Sequence, residues 1–195
     1  MKILVLSARR PSNGGRGDQK RAWFWATQMT PRHDVTLVTL GLADDEPAPS
    51  DRVDLTGVRI IDAPAPVWRR ALAAVIGLMR GVPLQTSWTS AGLGRRTVAR
   101  LAADHDVVIA LTARVVTAPV PTPLVIDHID AMSLNMRRRA GIDPSRLRRL
   151  GARLEARLMA RHERRLAGWA AAQVVTTAED ASALPAAPEP VVLLP

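Results

Sequence analysis

The sequence contains no cysteine, which excludes disulfide bonds, thiolate metal sites and a cysteine nucleophile. It also lacks long apolar runs. The run at 3–6 is shorter than the ~7–15 residues of a signal-peptide core, and the run at 71–79 is bounded by Arg70 and Arg80, short of the ~20 residues that cross a bilayer. We therefore expect neither a secreted nor a membrane-spanning protein, and a cytoplasmic location is compatible with both absences.

Aromatic side chains are scarce, at 3% of the sequence. With so few stacking platforms and no helix-turn-helix pattern, we do not expect nucleic acid as the partner. The sequence also lacks a G-x-G-x-x-G dinucleotide fingerprint and a G-x-x-x-x-G-K-[ST] phosphate loop, which argues against a standard NAD or ATP site. No second histidine lies at ligand spacing from His128, so we expect no metal site and no tightly bound cofactor.

The chain has 195 residues, of which 47% are hydrophobic, so it can form one well-buried domain. Lys and Arg number 27 against 18 Asp and Glu, a formal charge of +9. The surplus is mostly arginine and is concentrated in residues 131–172. A basic face of this kind can bind nucleic acid, an anionic membrane or a phosphorylated substrate, and charge alone does not choose between them.

Apolar strand patterns alternate with helical patterns along the chain. The predicted strands are 2–6, 35–40, 58–61, 106–111, 123–127, 173–177 and 191–194. The first predicted helix begins at Asp18 as its N-cap. The other predicted helices are 68–80, 90–104, a long basic region at 131–172 that is broken at 141–144, and 178–184. We expect residues 42–53 to form a mobile loop. The pattern predicts a Rossmann-like α/β domain, an open parallel sheet with helices on both faces and ligands beyond the carboxyl ends of the strands.

Leucines in the basic region recur at helical spacing, so we expect this stripe to pack inward. They are Leu147, Leu150, Leu154 and Leu158. The arginines then occupy the other faces, either as an ordinary solvated surface or as a site for anionic lipid head groups.

The segment Gly14-Gly15-Arg16-Gly17 lies between the first strand and the first helix. Glycines let a ligand approach the backbone, and the N–H groups of a following helix attract phosphate oxygens. The alternative is an ordinary flexible turn.

A second polar segment follows the strand at 123–127 and contains Asp127, His128, Asp130 and Ser133. A histidine or aspartate at the carboxyl end of a strand can act as a general base. The alternative is that one aspartate caps the next helix and that His128 belongs to the scaffold.

Taken in order, these segments resemble the N-terminal, acceptor-side domain of GT-B-fold, family-4-like retaining glycosyltransferases. The matching segments cover nearly the whole chain. They are 11–19 (PSNGGRGDQ), 34–40 (DVTLVTL), 127–133 (DHIDAMS) with the arginines that follow, 163–164 (ER) and 174–177 (VVTT). Members of this family commonly end the corresponding strand in His-Asp. Here Ile129 precedes Asp130, and His128 stands one residue early.

The resemblance implies a nucleotide-diphosphate sugar as donor substrate and a glycan or lipid-linked acceptor, in surface polysaccharide or glycolipid synthesis. Gly14, Gly15 and Arg16 would then approach the donor diphosphate. The implied catalytic residues near the acceptor are Asp127, His128 and Asp130. The implied acceptor or membrane surface consists of Arg137, Arg138, Arg139, Arg149 and Arg153.

The resemblance also implies that residues 1–195 form a single Rossmann-like domain and that a donor-binding domain is missing from this chain. That domain would come from the same or a separate polypeptide, and the isolated chain would turn over little. We expect a cytoplasmic enzyme, peripheral at the inner face of the membrane. The alternative function is a non-enzymatic basic α/β module that binds an anionic membrane surface or a partner.

Overall fold

The computed structural model of the protein describes residues 1–41, 55–185 and 191–194. The loop predicted at 42–53 lies outside the described residues. The strands are β1 (Lys2–Ser7), β2 (Asp34–Thr39), β3 (Val58–Asp62), β4 (Val107–Leu111), β5 (Leu124–Ile129), β6 (Ala172–Val175) and β7 (Val191–Leu193). The helices are α1 (Gly17–Met29), α2 (Val67–Met79), α3 (Leu84–Thr89), α4 (Arg95–Ala103), α5 (Met132–Ile142), α6 (Arg146–Ala167) and α7 (Ala178–Ala183).

The strands form one open sheet in the order β3-β2-β1-β4-β5-β6-β7, and every neighbouring pair is parallel. The first six strands give the order 3-2-1-4-5-6 of Rossmann-like domains, and the short β7 extends the edge beyond β6. The predicted fold class is therefore confirmed. The order reverses between β1 and β4, and ligands of such sheets bind at this switch point.

Both faces of the sheet are covered, which explains why the central strands are continuously apolar. On β1, Ile3 and Val5 face a cluster that includes α1, whereas Leu4 and Leu6 face a second cluster that includes α4 and α6. All four side chains are buried. The sheet is thus the middle layer of three.

The helix predicted at 90–104 is shorter than expected. Residues 90–92 form a single 3₁₀ turn, Leu93 is extended, and α4 begins after Gly94 as its N-cap. A further short helix, α3, precedes the turn and was not predicted. Its first two amides, those of Leu84 and Gln85, donate to the carboxylate of Glu155 on α6 at 2.9 Å each. A contact from a distant helix therefore stabilises α3, and its six residues are too few to show a period.

The prediction that the leucine stripe packs inward is wrong for three of its four members. Leu147, Leu150 and Leu154 are 79%, 64% and 44% exposed, and only Leu158 is buried. The buried face of α6 instead contains polar side chains among its apolar ones, namely Glu155, His162 and Glu163 with Ala152, Ala156, Met159 and Leu166. Because three positions on the buried face are polar, the spacing of the leucines alone predicts the wrong buried face. None of the described helices is long and apolar enough to cross a membrane.

Arg70 fixes the start of α2 at the carboxyl edge of the sheet. Its guanidinium is buried and donates to the carbonyls of Leu40 and Gly41, which follow β2, and also to those of Ala65 and Trp88. Farther along α2, a Cβ at Gly77 would lie 1.9 Å from Ser87 Oγ, so glycine is required for the close contact with α3. These contacts hold α2 and α3 beside the switch point.

Candidate functional site

The glycine segment lies at the carboxyl edge of the sheet, between β1 and α1. Arg16 is the N-cap of α1, and its N–H donates to Gln19 Oε1 at 3.0 Å. Asp18, predicted as the N-cap, lies instead in the first turn of the helix. Asp18 is not needed as the N-cap, because the Gln19 side chain already accepts from the N-cap amide. The exposed Arg16 therefore stands at the positive end of α1, next to the switch point.

Backbone conformation does not explain the glycines of this segment. Among the described residues, the glycines with positive φ are Gly41, Gly57 and Gly81, all of them elsewhere. A Cβ at Gly17 would meet nothing within 4 Å, whereas one at Gly15 would lie 2.5 Å from Oε1 and 3.1 Å from Cβ of the buried Gln19, whose side chain accepts from the Arg16 amide. Neither glycine is required by a left-handed turn. Packing against Gln19 explains Gly15, whereas no contact explains Gly17, where the backbone is open to an approaching ligand.

Two arginines converge on Asp18 across the switch point. Arg9, which follows β1, donates from Nη1 to Asp18 Oδ2 at 2.5 Å, and Arg114, which follows β4, approaches the same oxygen at 3.5 Å. All three side chains are less than one-fifth exposed. Burial lowers the pKa of Arg114, while the Asp18 carboxylate opposes this shift and Arg9 adds to it.

Two β-branched residues at the same edge have left-handed backbone conformations. Thr112, directly after β4, has φ of 70°, and Ile129, at the end of β5, has φ of 61°. Each such residue costs roughly 1–3 kcal/mol and persists only where its surroundings impose it. The register between β5 and β6 also shifts between Asp127 and Ile129. Backbone strain of this kind concentrates at functional sites.

Asp127 is fully buried and its carboxylate is occupied by protein donors. Oδ2 accepts from Arg21 Nε at 2.5 Å and from Trp25 Nε1 at 2.7 Å, both on α1, while Oδ1 accepts from the Ile129 amide at 3.1 Å. Arg21 also donates to the carbonyl of Leu194 at 2.8 Å. This carboxylate joins α1 to β5 beneath the edge of the sheet.

His128 is also fully buried. Its Nε2 lies 2.8 Å from Gln173 Oε1 on β6, and its Nδ1 has no hydrogen-bond partner among the described residues. Burial lowers its pKa to about 4, against weaker opposing effects of Gln173 and Asp127. The imidazole is therefore neutral near pH 7 and faces the interior.

Asp130 is the exposed member of the three predicted catalytic residues. It lies just before α5, whose N-terminal amides are taken by carboxylates from later helices. Asp180 Oδ1 accepts from the Ala131 amide at 2.9 Å, and Glu163 Oε1 accepts from the Ser133 amide at 3.0 Å. Burial raises the pKa of Glu163, and the hydrogen bonds from Ser133 oppose this shift. Asp180 and Glu163, rather than Asp127 or Asp130, thus cap the helix.

The predicted acceptor or membrane arginines lie on α5 and α6, apart from the switch point. Arg137, Arg138, Arg139 and Arg153 are exposed and Arg149 is half-buried. Arg138 pairs with Glu179. On α6 the arginine side chains make no hydrogen bond or ion pair to any other described residue, and the helix's two acidic residues face inward.

The Arg9–Asp18–Arg114 cluster was not predicted from the sequence. Arg9 and Asp18 flank the glycine segment in the sequence, and Arg114 follows an apolar strand at the sheet edge where ligands bind. Their positions were the available signal, but nothing in the sequence pairs Arg114 with a segment almost a hundred residues earlier.

Similarity to known proteins does not identify the chain. No protein-family model matches it, and no curated protein matches it at a significant level. In the part of the chain that the structure describes, no group of three or more histidine or acidic side chains is placed to hold a metal ion. The function must therefore be argued from the residues at the carboxyl edge of the sheet.

Proposed function

We propose that the chain is the acceptor-side domain of a sugar-nucleotide-dependent glycosyltransferase. The observation that carries the proposal is the position of the glycine segment at the switch point of a Rossmann-like sheet, with Arg16 exposed and no contact within 4 Å that requires Gly17. An open backbone beside a helix N-terminus suits a diphosphate. The ordered sequence resemblance to family-4-like glycosyltransferases supports the same function.

In this proposal the roles of the polar residues at the end of β5 and just after it follow from their exposure. Asp130 is accessible and is the one able to touch the acceptor or the anomeric carbon. Asp127 and His128 are buried, so they act as positioning residues that hold the strained end of β5. The donor nucleotide would be bound mainly by a second α/β domain, in the same polypeptide or a separate one.

The decisive experiment measures sugar transfer with the chain joined to, or mixed with, its donor-binding domain. Gly15→Leu, Gly17→Leu and Asp130→Asn should each reduce transfer at least tenfold. Ala103→Leu adds comparable bulk at the opposite edge of the sheet and should leave transfer unchanged. Full activity in both glycine variants would refute the role of the segment, and no transfer from any nucleotide sugar would refute the function.

A second candidate is a module that binds an anionic membrane surface. The exposed leucines favour it, because Leu147, Leu150 and Leu154 share one helix with arginines that have no partner in the described residues. An amphipathic helix of this composition can lie in the head-group region. Co-sedimentation with vesicles that contain phosphatidylglycerol, but not with neutral vesicles, and its loss at high salt would support the surface.

A further inference from the structure

An open groove of about 390 Å³ lies between α2 and α3, and its volume falls within the ~300–1,000 Å³ of ligand pockets. Most of its lining is apolar. The lining residues are Ala74, Leu84, Gln85, Trp88, Thr89 and Arg114. One guanidinium therefore stands in an otherwise largely apolar groove.

The Arg114 guanidinium is poorly satisfied by its protein neighbours. It has five N–H donors, but its two contacts, Nη2 to Asp18 Oδ2 and Nε to Thr112 Oγ1, are both 3.5 Å long, beyond the usual ~2.7–3.2 Å. Asp18 is held more closely by Arg9. The Arg114 side chain is 17% exposed and lines the open groove, so its guanidinium can be reached from there. An anionic ligand group would supply the missing acceptors.

The helix that forms one wall of the groove, α2, also has an exposed apolar face. Trp68, Leu72, Val75 and Met79 recur at helical spacing on α2 and are 69%, 52%, 58% and 75% exposed. Ala74, in the groove wall, belongs to the same helix. Exposed apolar side chains on the same helix as a groove suit a ligand with a hydrocarbon chain, such as a lipid drawn from a bilayer.

We propose that this groove binds a membrane lipid, with its hydrocarbon chain between α2 and α3 and its phosphate head group on Arg114. Because Arg114 adjoins Asp18 and the glycine segment, the head group would lie at the switch point. The inference that this lipid is the acceptor rests on the proposed transferase function, whereas lipid binding itself does not. It assigns the acceptor to the class of phosphorylated lipids.

Binding of monomeric decyl phosphate, 1-decanol and inorganic phosphate to the chain can be compared by calorimetry. A lost hydrogen bond to a charged group corresponds to roughly tenfold in affinity or more. Arg114→Gln should therefore weaken decyl phosphate at least tenfold and leave decanol unchanged. Ala74→Phe should fill the groove and weaken both decyl compounds at least fivefold. Arg32→Gln, a matched loss of an exposed charge on another surface, should change nothing.

The proposal is overturned if Arg32→Gln weakens binding as much as Arg114→Gln, or if inorganic phosphate competes as well as decyl phosphate. If Arg114→Gln does not fold, unchanged binding in Ala74→Phe overturns it alone. Measuring sugar transfer distinguishes the lipid-binding groove from the proposed transferase function. Lipid binding without transfer counts against the transferase, whereas full transfer to a lipid acceptor by Ala74→Phe counts against the groove.

Discussion

The arginines inside the molecule and those along α6 differ in what they contact. Arg21 and Arg70 are buried, the first on the carboxylate of Asp127 and the second on backbone carbonyls. The arginine side chains of α6 contact no carboxylate or carbonyl in the described part of the chain. The contacts of Arg21 and Arg70 are thus explained by the fold, while the arginines of α6 remain available to something outside it.

Removing the acceptor of a buried arginine should produce the largest effect. Asp127→Ala leaves Arg21 and Trp25 without their shared acceptor, and breaking a buried pair in this way typically costs ~3–5 kcal/mol. Urea unfolding measures the loss. The exposed Asp130→Ala provides the matched comparison and should change the free energy of unfolding by less than ~0.5 kcal/mol. Equal losses in the two variants would show that the buried carboxylate of Asp127 contributes no more to stability than the exposed one of Asp130.

Arg70→Met should have the next largest effect. The methionine fills much of the space but leaves the carbonyls of Leu40 and Gly41 without their donor, and an unsatisfied buried group costs ~1–3 kcal/mol. Thermal and urea unfolding should both report the loss. Arg69→Met, the exposed neighbour on the same helix, serves as control. A stable Arg70→Met would mean that the carbonyls find other donors.

The pH dependence of the free energy of unfolding tests whether burial keeps the His128 imidazole from accepting a proton. His128 has a pKa near 4 in the folded protein and ~6.5 when unfolded, so between these values the unfolded chain binds more protons. Its contribution to the free energy of unfolding therefore falls with decreasing pH, by up to ~1.4 kcal/mol per unit. His128→Gln should show a shallower slope in that window and an unchanged one above pH 7.

Comparing the variant with the wild type isolates His128 from two neighbours. Burial lowers the pKa of His162, which adds a slope of the same sign, and raises the pKa of Glu163, which adds the opposite sign. Parallel profiles for variant and wild type would show that His128 accepts no proton on unfolding in this range.

The smallest effect on stability is expected on α6. Replacing Arg149 and Arg153 by Gln should alter the free energy of unfolding by less than ~0.5 kcal/mol. Binding to anionic vesicles should fall by ~1 kcal/mol per arginine at low salt and less at high salt. Arg32→Gln should leave vesicle binding unchanged. A large loss of stability would make these arginines structural, and vesicle binding that ignores both charge and salt would contradict an electrostatic membrane surface.

The sheet could be predicted because its strands are apolar on both faces, so a short sequence window contains the whole signal. The inward face of α6 could not, because Glu155 and Glu163 are buried to accept amides from α3 and from the first turn of α5, 70 and 30 residues away in the sequence. The glycine segment was found from residue type alone. The position of Arg114 beside Asp18 was not predicted, since the two residues meet only in the folded sheet.

The contacts of Arg21 bear on how the protein folds. They join positions 106 residues apart at Asp127 and 173 apart at Leu194. Such contacts form only after a long stretch of chain has lost its freedom, so we expect them to be absent from the folding transition state. Weakening them should then accelerate unfolding more than it slows folding. The side chain that ties α1 to β5 therefore governs how long the native state lasts rather than how quickly it is reached.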